Sequence, residues 1–174
     1  MSAEKDILQK AKEEMRLSER ILAAVPGFRG YKEKELRRES DRLVRDHLYR
    51  RLSETEDGVK SIFQELSDKR AYGSLESMDR LVMRFDRLRA RIRRSSYGYS
   101  GFFDVVKIEE DDLDRMMKFD ESLLTSIEEL SQVVKEKKGK VGDDVTEWAE
   151  GLNGRLSSLD DTFSERREII LGVK

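Results

Sequence analysis

Between residues 31 and 71 the chain carries one apolar stripe in helical phase. Val44, Leu48, Leu52, Thr55, Val59, Ile62 and Leu66 step by four, four, three, four, three and four. That rhythm keeps a single helix face turned toward a partner. At a rise of about 1.5 Å per residue the stripe predicts a helix about 60 Å long. Such a helix can hide its stripe only against other long helices, so the expected fold is all-α. We read it as an up-down antiparallel bundle of four to five long helices with coiled-coil-like packing.

The rest of the chain supplies those helices. The first is expected over about Ala3 to Ala24, with Ile7, Leu8, Ala11, Met15, Ile21, Leu22 and Val25 on one side. Pro26-Gly27 ends it, because proline removes a backbone donor and restrains the residue before it. The link is short, so helix two is expected to fold back beside helix one. Helix two is read from Tyr31 to about Ala71. Ser53-Glu54-Thr55-Glu56 resembles a capping box and Gly58 is a poor helix former, but the stripe does not slip there and one continuous helix is expected. Tyr72-Gly73 closes it, and Ser74 is a natural N-cap for helix three, which runs to Arg94 on Leu75, Met78, Leu81, Val82, Phe85, Leu88 and Ile92. Helix four starts among Glu109–Asp112, where acids suit the positive helix end, and closes at the cationic stretch before Gly139. Helix five covers about Asp143 to Leu171. A short extended piece at 102–108 is the one candidate strand.

Charged residues make up 41% of the 174 and hydrophobic residues 37%. So much charge also suits disorder, but here the apolar residues are phased rather than scattered, as in long solvated helices. The length fits a single domain over 1–174. With no cysteine, disulfides and thiolate metal sites are excluded, and the composition fits a reducing compartment. No apolar run approaches the roughly 20 residues needed to cross a bilayer, and the first ten residues lack a signal-peptide pattern. A soluble, cytoplasmic protein is expected.

The candidate chemistry is sparse. His47 is the only histidine and has no cysteine or second imidazole to help it. The acids Glu109, Glu110, Asp111, Asp112 and Asp114 lack the alternation and central glycine of a calcium loop. We therefore expect no catalytic residues, no metal and no cofactor. Charge distribution says more. Residues 69–94 hold nine basic side chains against three acidic ones, and 104–129 hold ten acidic against three basic. Within the first segment Arg80, Arg84, Arg87, Arg91 and Arg94 step by four, three, four and three, forming a continuous stripe. The expectation is that this stripe faces the acids of helix four. Its alternative is contact with an anionic partner, either lipid or nucleic acid. A sequence pI near 5.7 argues against nucleic acid as the main partner.

The segment from Ser95 to Asp104 holds four aromatics, Tyr97, Tyr99, Phe102 and Phe103, and two glycines. A plain helix connection needs only a few polar residues. Two readings stand: a docking loop for a partner, or a plug for the open end of the bundle. Phe28 and Tyr31 in the first link are expected at the same end, completing one composite surface. The segments PGFRGYKEKE (26–35) and YGYSGFFD (97–104), with Arg37-Arg38 and Arg45-Asp46-His47-Leu48, resemble a family of prokaryotic helical proteins. That resemblance covers roughly residues 20 to 130. It implies a helical fold and carries over no activity, catalytic residue or substrate.

These features predict a non-enzymatic interaction or scaffold protein with an unidentified protein partner, acting through a helix face or the aromatic 95–104 loop. A peripheral binder of anionic membrane or nucleic acid through the arginine stripe is the alternative, and a homo-oligomer is compatible with either.

Overall fold

Five helices account for nearly all of the structure, a computed structural model that describes residues 2–95, 109–142 and 144–171, with side chains from residue 7 onward. They are α1 (Ser2–Ala24), α2 (Arg37–Asp68), α3 (Leu75–Arg94), α4 (Glu110–Lys137) and α5 (Val145–Leu171). Among the described residues there is no strand. The expected all-α bundle is therefore the fold, and α2 is continuous across Gly58. The aromatic residues Tyr97, Tyr99, Phe102 and Phe103, and the extended piece at 102–108, lie outside the described residues.

The bundle is two antiparallel hairpins side by side. In the first, Tyr49 of α2 meets Arg89 and Arg93 of α3, and Glu56 meets Arg89, so sequence numbers rise on one helix as they fall on the other. In the second, Arg166 of α5 meets Asp120 of α4, while Arg155 lies 3.7 Å from Glu129. Across the junction the neighbours are parallel. Arg51 of α2 binds Glu128 of α4 at 2.6 Å, and Ser74 and Arg91 on the α3 side reach Thr146 and Asp160 on the α5 side. Directions thus alternate along α2 to α5, with α3 diagonal to α4 and in contact with α2 and α5.

The first helix departs from expectation. It does not fold back on α2; it runs parallel to α4, pairing Lys10 with Asp111 and Arg20 with Glu121, both 101 residues apart. The chain returns through the 25–36 link instead. Gly27 and Gly30 take positive φ there (89° and 79°), which turns the chain back before α2 begins. Because α1 packs chiefly against α4, just Leu17 and Ile21 on it, and Val25 immediately after it, are deeply buried, while Ile7, Leu8, Met15 and Leu22 stay exposed.

Helix ends follow local physics that the stripe alone does not reveal. α2 starts at Arg37 rather than Tyr31, because Tyr31 is drawn into the core and residues 34–36 form a 3₁₀ turn. Arg37 Nε donates to the Tyr31 carbonyl at 2.6 Å and Ser40 Oγ donates to the Gly30 carbonyl at 2.8 Å, tying the link to the helix. At the other end α2 closes before Tyr72-Gly73. Arg70 takes φ 57°, its N–H bonds Ser67 O and the Ala71 N–H bonds Leu66 O, the two bonds of a Schellman cap. Ser74 precedes α3 as expected but does not cap it: its hydroxyl meets Thr146 Oγ1 at 3.1 Å.

One hydrophobic core runs through the bundle, built from Val44, Leu48, Leu52, Val59, Ile62 and Leu66 of α2 and the matching stripes of α3, α4 and α5. A polar cluster interrupts it. Arg166, fully buried, donates from Nε to Asp120, from Nη1 to Asp41 Oδ1 at 2.8 Å and from Nη2 to the Tyr31 hydroxyl at 3.1 Å. Tyr31 donates to Asp120, and Arg45 Nε donates to the second oxygen of Asp41 at 2.8 Å. Two cations face two anions, so the buried charges are matched and each has several hydrogen bonds. Burial, and then the adjacent Asp120, push the Tyr31 hydroxyl well above its ordinary pKa. Burial works against the Arg166 charge, but Asp120, Tyr31 and Asp41 hold it firmly protonated.

Candidate anion-binding groove

The arginine stripe of α3 lies on the flank that borders α5. Core residues Met78, Leu81, Phe85, Leu88 and Ile92 set the inward face. At 100° per residue, positions 80, 84, 87, 91 and 94 fall about a third of a turn away from it. The diagonal placement of α3 and α4 overturns the expected partner. No ion pair joins this stripe to the acids of 109–129 among the described residues; the contacts go to α5, or to α3 itself.

Each arginine meets a different environment. Arg80 lies 3.7 Å from Glu76 one turn earlier, in an exposed pair. Arg84 Nη1 donates to the Asn153 carbonyl at 3.4 Å. Arg91 pairs with Asp160 and donates to Ser164 Oγ at 2.7 Å. Arg87 and Arg94 are exposed and make no ion pair among the described residues, and the same holds for Arg167 of α5. Parallel packing places Arg167 beside the last turn of α3, two turns beyond Asp160 and one beyond Ser164.

Two depressions follow this seam. The upper, of about 590 Å³, is lined by Asp86, Arg87, Ala90, Arg91, Arg94, Ser95, Phe163 and Arg167. The lower, of about 500 Å³, is lined by Ser77, Arg80, Met83, Arg84, Arg87, Glu150 and Asn153. Arg87 borders both, so they form one groove. The upper half has apolar material at its base, Phe163 and Ala90, and four guanidinium groups around it. Its carboxylates are already engaged: Asp86 lies 3.6 Å from Arg89, and Asp160 takes Arg91. The buried cluster anchors this same end, since Arg166 is the neighbour of Arg167 and one turn from Phe163.

Phe28 and Tyr31 come together edge to face, ring centroids 5.4 Å apart, but both are buried at 3% and 0% exposure. Neither ring offers a surface to a partner, because both belong to the core and the Tyr31 hydroxyl is held by Asp120 and Arg166. His47 accepts from Arg50 Nη2 at Nδ1 (3.2 Å), and its buried Nε2 has no partner among the described groups. Of the acidic run, Asp111 and Asp114 bind Lys10, and Asp112 lies 3.5 Å from Arg115. Among the described residues no group of three or more His, Cys, Asp or Glu is arranged to hold a metal. No described helix is long and apolar enough to cross a membrane.

Sequence reasoning found the stripe but missed Arg167 and the apolar base beneath it. The signal was present in α5, where Asn153, Asp160, Ser164 and Arg167 repeat at helical spacing beside its core stripe. No family model matches the chain, and neither a curated protein nor a solved structure does.

Proposed function

We propose that this protein is a non-enzymatic interaction protein that seats an acidic, amphipathic segment of a partner protein in the groove between α3 and α5. The observation that carries this reading is the pairing of an apolar base, Phe163 and Ala90, with Arg87, Arg94 and Arg167, which have no carboxylate partner among the described residues. Helix-in-groove recognition uses this combination: apolar anchors enter the furrow and charges on the rim fix register. Arginine suits the rim because its fork binds carboxylates in a defined geometry. The absence of cysteine suits a reducing compartment, and the proposal places the protein in the cytoplasm.

A second reading rests on the same row. Arginines at one per helical turn, about 5 Å apart along the axis, also follow the phosphates of a nucleic acid or an anionic lipid surface. The acidic pI, near 5.7, and the apolar base favour the protein partner.

Fluorescence anisotropy separates the two. The probes are a labelled helical peptide with a leucine stripe flanked by glutamates, a single-stranded oligonucleotide, and phosphatidylserine vesicles, each at low and high salt. The proposal expects peptide binding that survives moderate salt, since apolar docking is salt-insensitive while phosphate contacts weaken steeply. Binding of the oligonucleotide or the vesicles without the peptide overturns it, as does failure to bind any of the three.

A further inference from the structure

We infer that α1 is a self-association surface, pairing antiparallel with α1 of a second copy about a two-fold axis at Met15. Leu8, Met15 and Leu22 stand seven residues apart and are 60%, 63% and 48% exposed. Ala11 and Ser18 lie between them on the same side, so the positions trace the a and d sites of a heptad seam. This seam is distinct from the face that holds α1 to the bundle, which uses Leu17, Ile21 and Val25. The seam lies a little over a quarter of a turn around the helix from that face, and its three large apolar side chains are left open to a partner.

Charge decides what covers it. Over residues 4–20 the helix holds Lys5, Lys10, Lys12, Arg16 and Arg20 against Glu4, Asp6, Glu13, Glu14 and Glu19, a balance of zero. An anionic membrane gains nothing electrostatically from such a helix. A second copy does, in one orientation. With Met15 on the two-fold axis, Leu8 opposes Leu22 of the second copy and Lys12 lies beside its Glu19, each contact made twice, while on the other flank Glu14, paired with Lys32 of its own chain, faces its counterpart. A parallel pair instead brings Glu19 toward Glu14 of the second copy and leaves Lys12 opposite an apolar side chain. A contact of this length buries less than about 1,200 Å² in total, the size of weak, reversible associations.

Sedimentation equilibrium of the full chain over a concentration series tests the inference. A monomer–dimer equilibrium with a micromolar Kd is expected. Met15→Glu, which sets two carboxylates face to face on the axis, raises that Kd by about tenfold or more. Leu8→Lys, at the end of the seam, acts in the same direction; both sites are exposed, and an unchanged thermal melt verifies the fold. Lys12→Glu and Glu19→Lys each weaken the dimer, and the two together restore it. A chain that stays monomeric up to about 1 mM overturns the inference. So does a dimer indifferent to Met15→Glu, or a double charge reversal that dimerises no better than the singles. Vesicle binding that Met15→Glu abolishes, with no dimer formed, assigns the seam to a membrane and equally overturns it.

Discussion

Arg91 of α3 crosses to Asp160 of α5 and takes Ser164 as a second acceptor, so the middle cation of the arginine stripe is committed to joining two parallel helices. Arg87 and Arg94 on either side of it are not. Replacing Asp160 with Asn releases Arg91 into the groove. The pair is about two-fifths exposed on each side, so the stability cost is expected at about 0–1 kcal/mol. Affinity for an acidic peptide is expected to rise severalfold. Anisotropy titration beside a urea melt reads both, and unchanged or weaker binding by Asp160→Asn contradicts the assignment of Arg91 to the groove.

The buried cluster gives the opposite kind of mutant. Asp120→Ala leaves Arg166 in the core with one carboxylate fewer, and removal of one partner from a buried pair costs about 3–5 kcal/mol. Tyr31→Phe removes one hydroxyl from the same cluster and is expected to cost about 1–2 kcal/mol. Urea denaturation of the two variants gives the ranking. Equal, small losses would show that the cluster is solvated rather than dry.

Gly58 sits where α2 approaches α4. A Cβ built on it lies 2.8 Å from Val134 Cγ1, and Val134 is itself buried. The usual gain of about 1 kcal/mol from replacing a helical glycine with alanine is therefore not expected. Overpacking of about 1–3 kcal/mol outweighs it, and Gly58→Ala is expected to lower stability. Val134→Ala added to Gly58→Ala relieves the clash, so the double variant is less destabilised than the sum of the singles. Additive losses would refute the close approach.

His47 makes the fold sensitive to mild acid. Burial chiefly, and then Arg50, lower its pKa below the ordinary 6.5, with Arg51 adding to this and Glu128 and Glu54 opposing it. Arg50 donates to Nδ1, which requires that nitrogen unprotonated. The folded state thus binds the proton less readily than the unfolded chain. The contribution to stability is present above pH 6.5 and is lost as pH falls through the lower folded value. Urea midpoints at about pH 7.5 and about pH 5.5 should fall for the natural chain and change less for His47→Gln. A parallel fall in both would assign the effect to other groups.

Much of this architecture is legible in the chain because phase is a local property. The limits of α3, α4 and α5 follow from stripes and terminal signals, and the continuity of α2 across Gly58 follows from a stripe that never slips. Adjacency is not local. The stripe of α3 and the acids of α4 nearly cancel in charge and neighbour each other in sequence, yet two hairpins packed in parallel set them on a diagonal. The same limit hid the cation that Asp120 requires. A carboxylate inside the apolar stripe of α4 signals a buried partner, but only the register of α5 identifies it as Arg166. In α1, Leu8, Met15 and Leu22 lie beside the true core face rather than on it, and Ile7, in phase with Val25, stands beyond the start of α4, which the parallel seat against α4 decides.

The claim that the α3–α5 groove is the working surface rests on three arginines that the fold itself does not use. Arg87→Glu, Arg94→Glu and Arg167→Glu combined reverse the charge of the upper groove without touching a core residue. The deciding measurement is the Kd of the acidic amphipathic peptide for this variant, taken beside its melting temperature. The account expects an unchanged melt and an affinity about a hundredfold weaker or worse, since each lost pair across such an interface contributes about 1 kcal/mol or more. Natural affinity in a well-folded triple variant would contradict it.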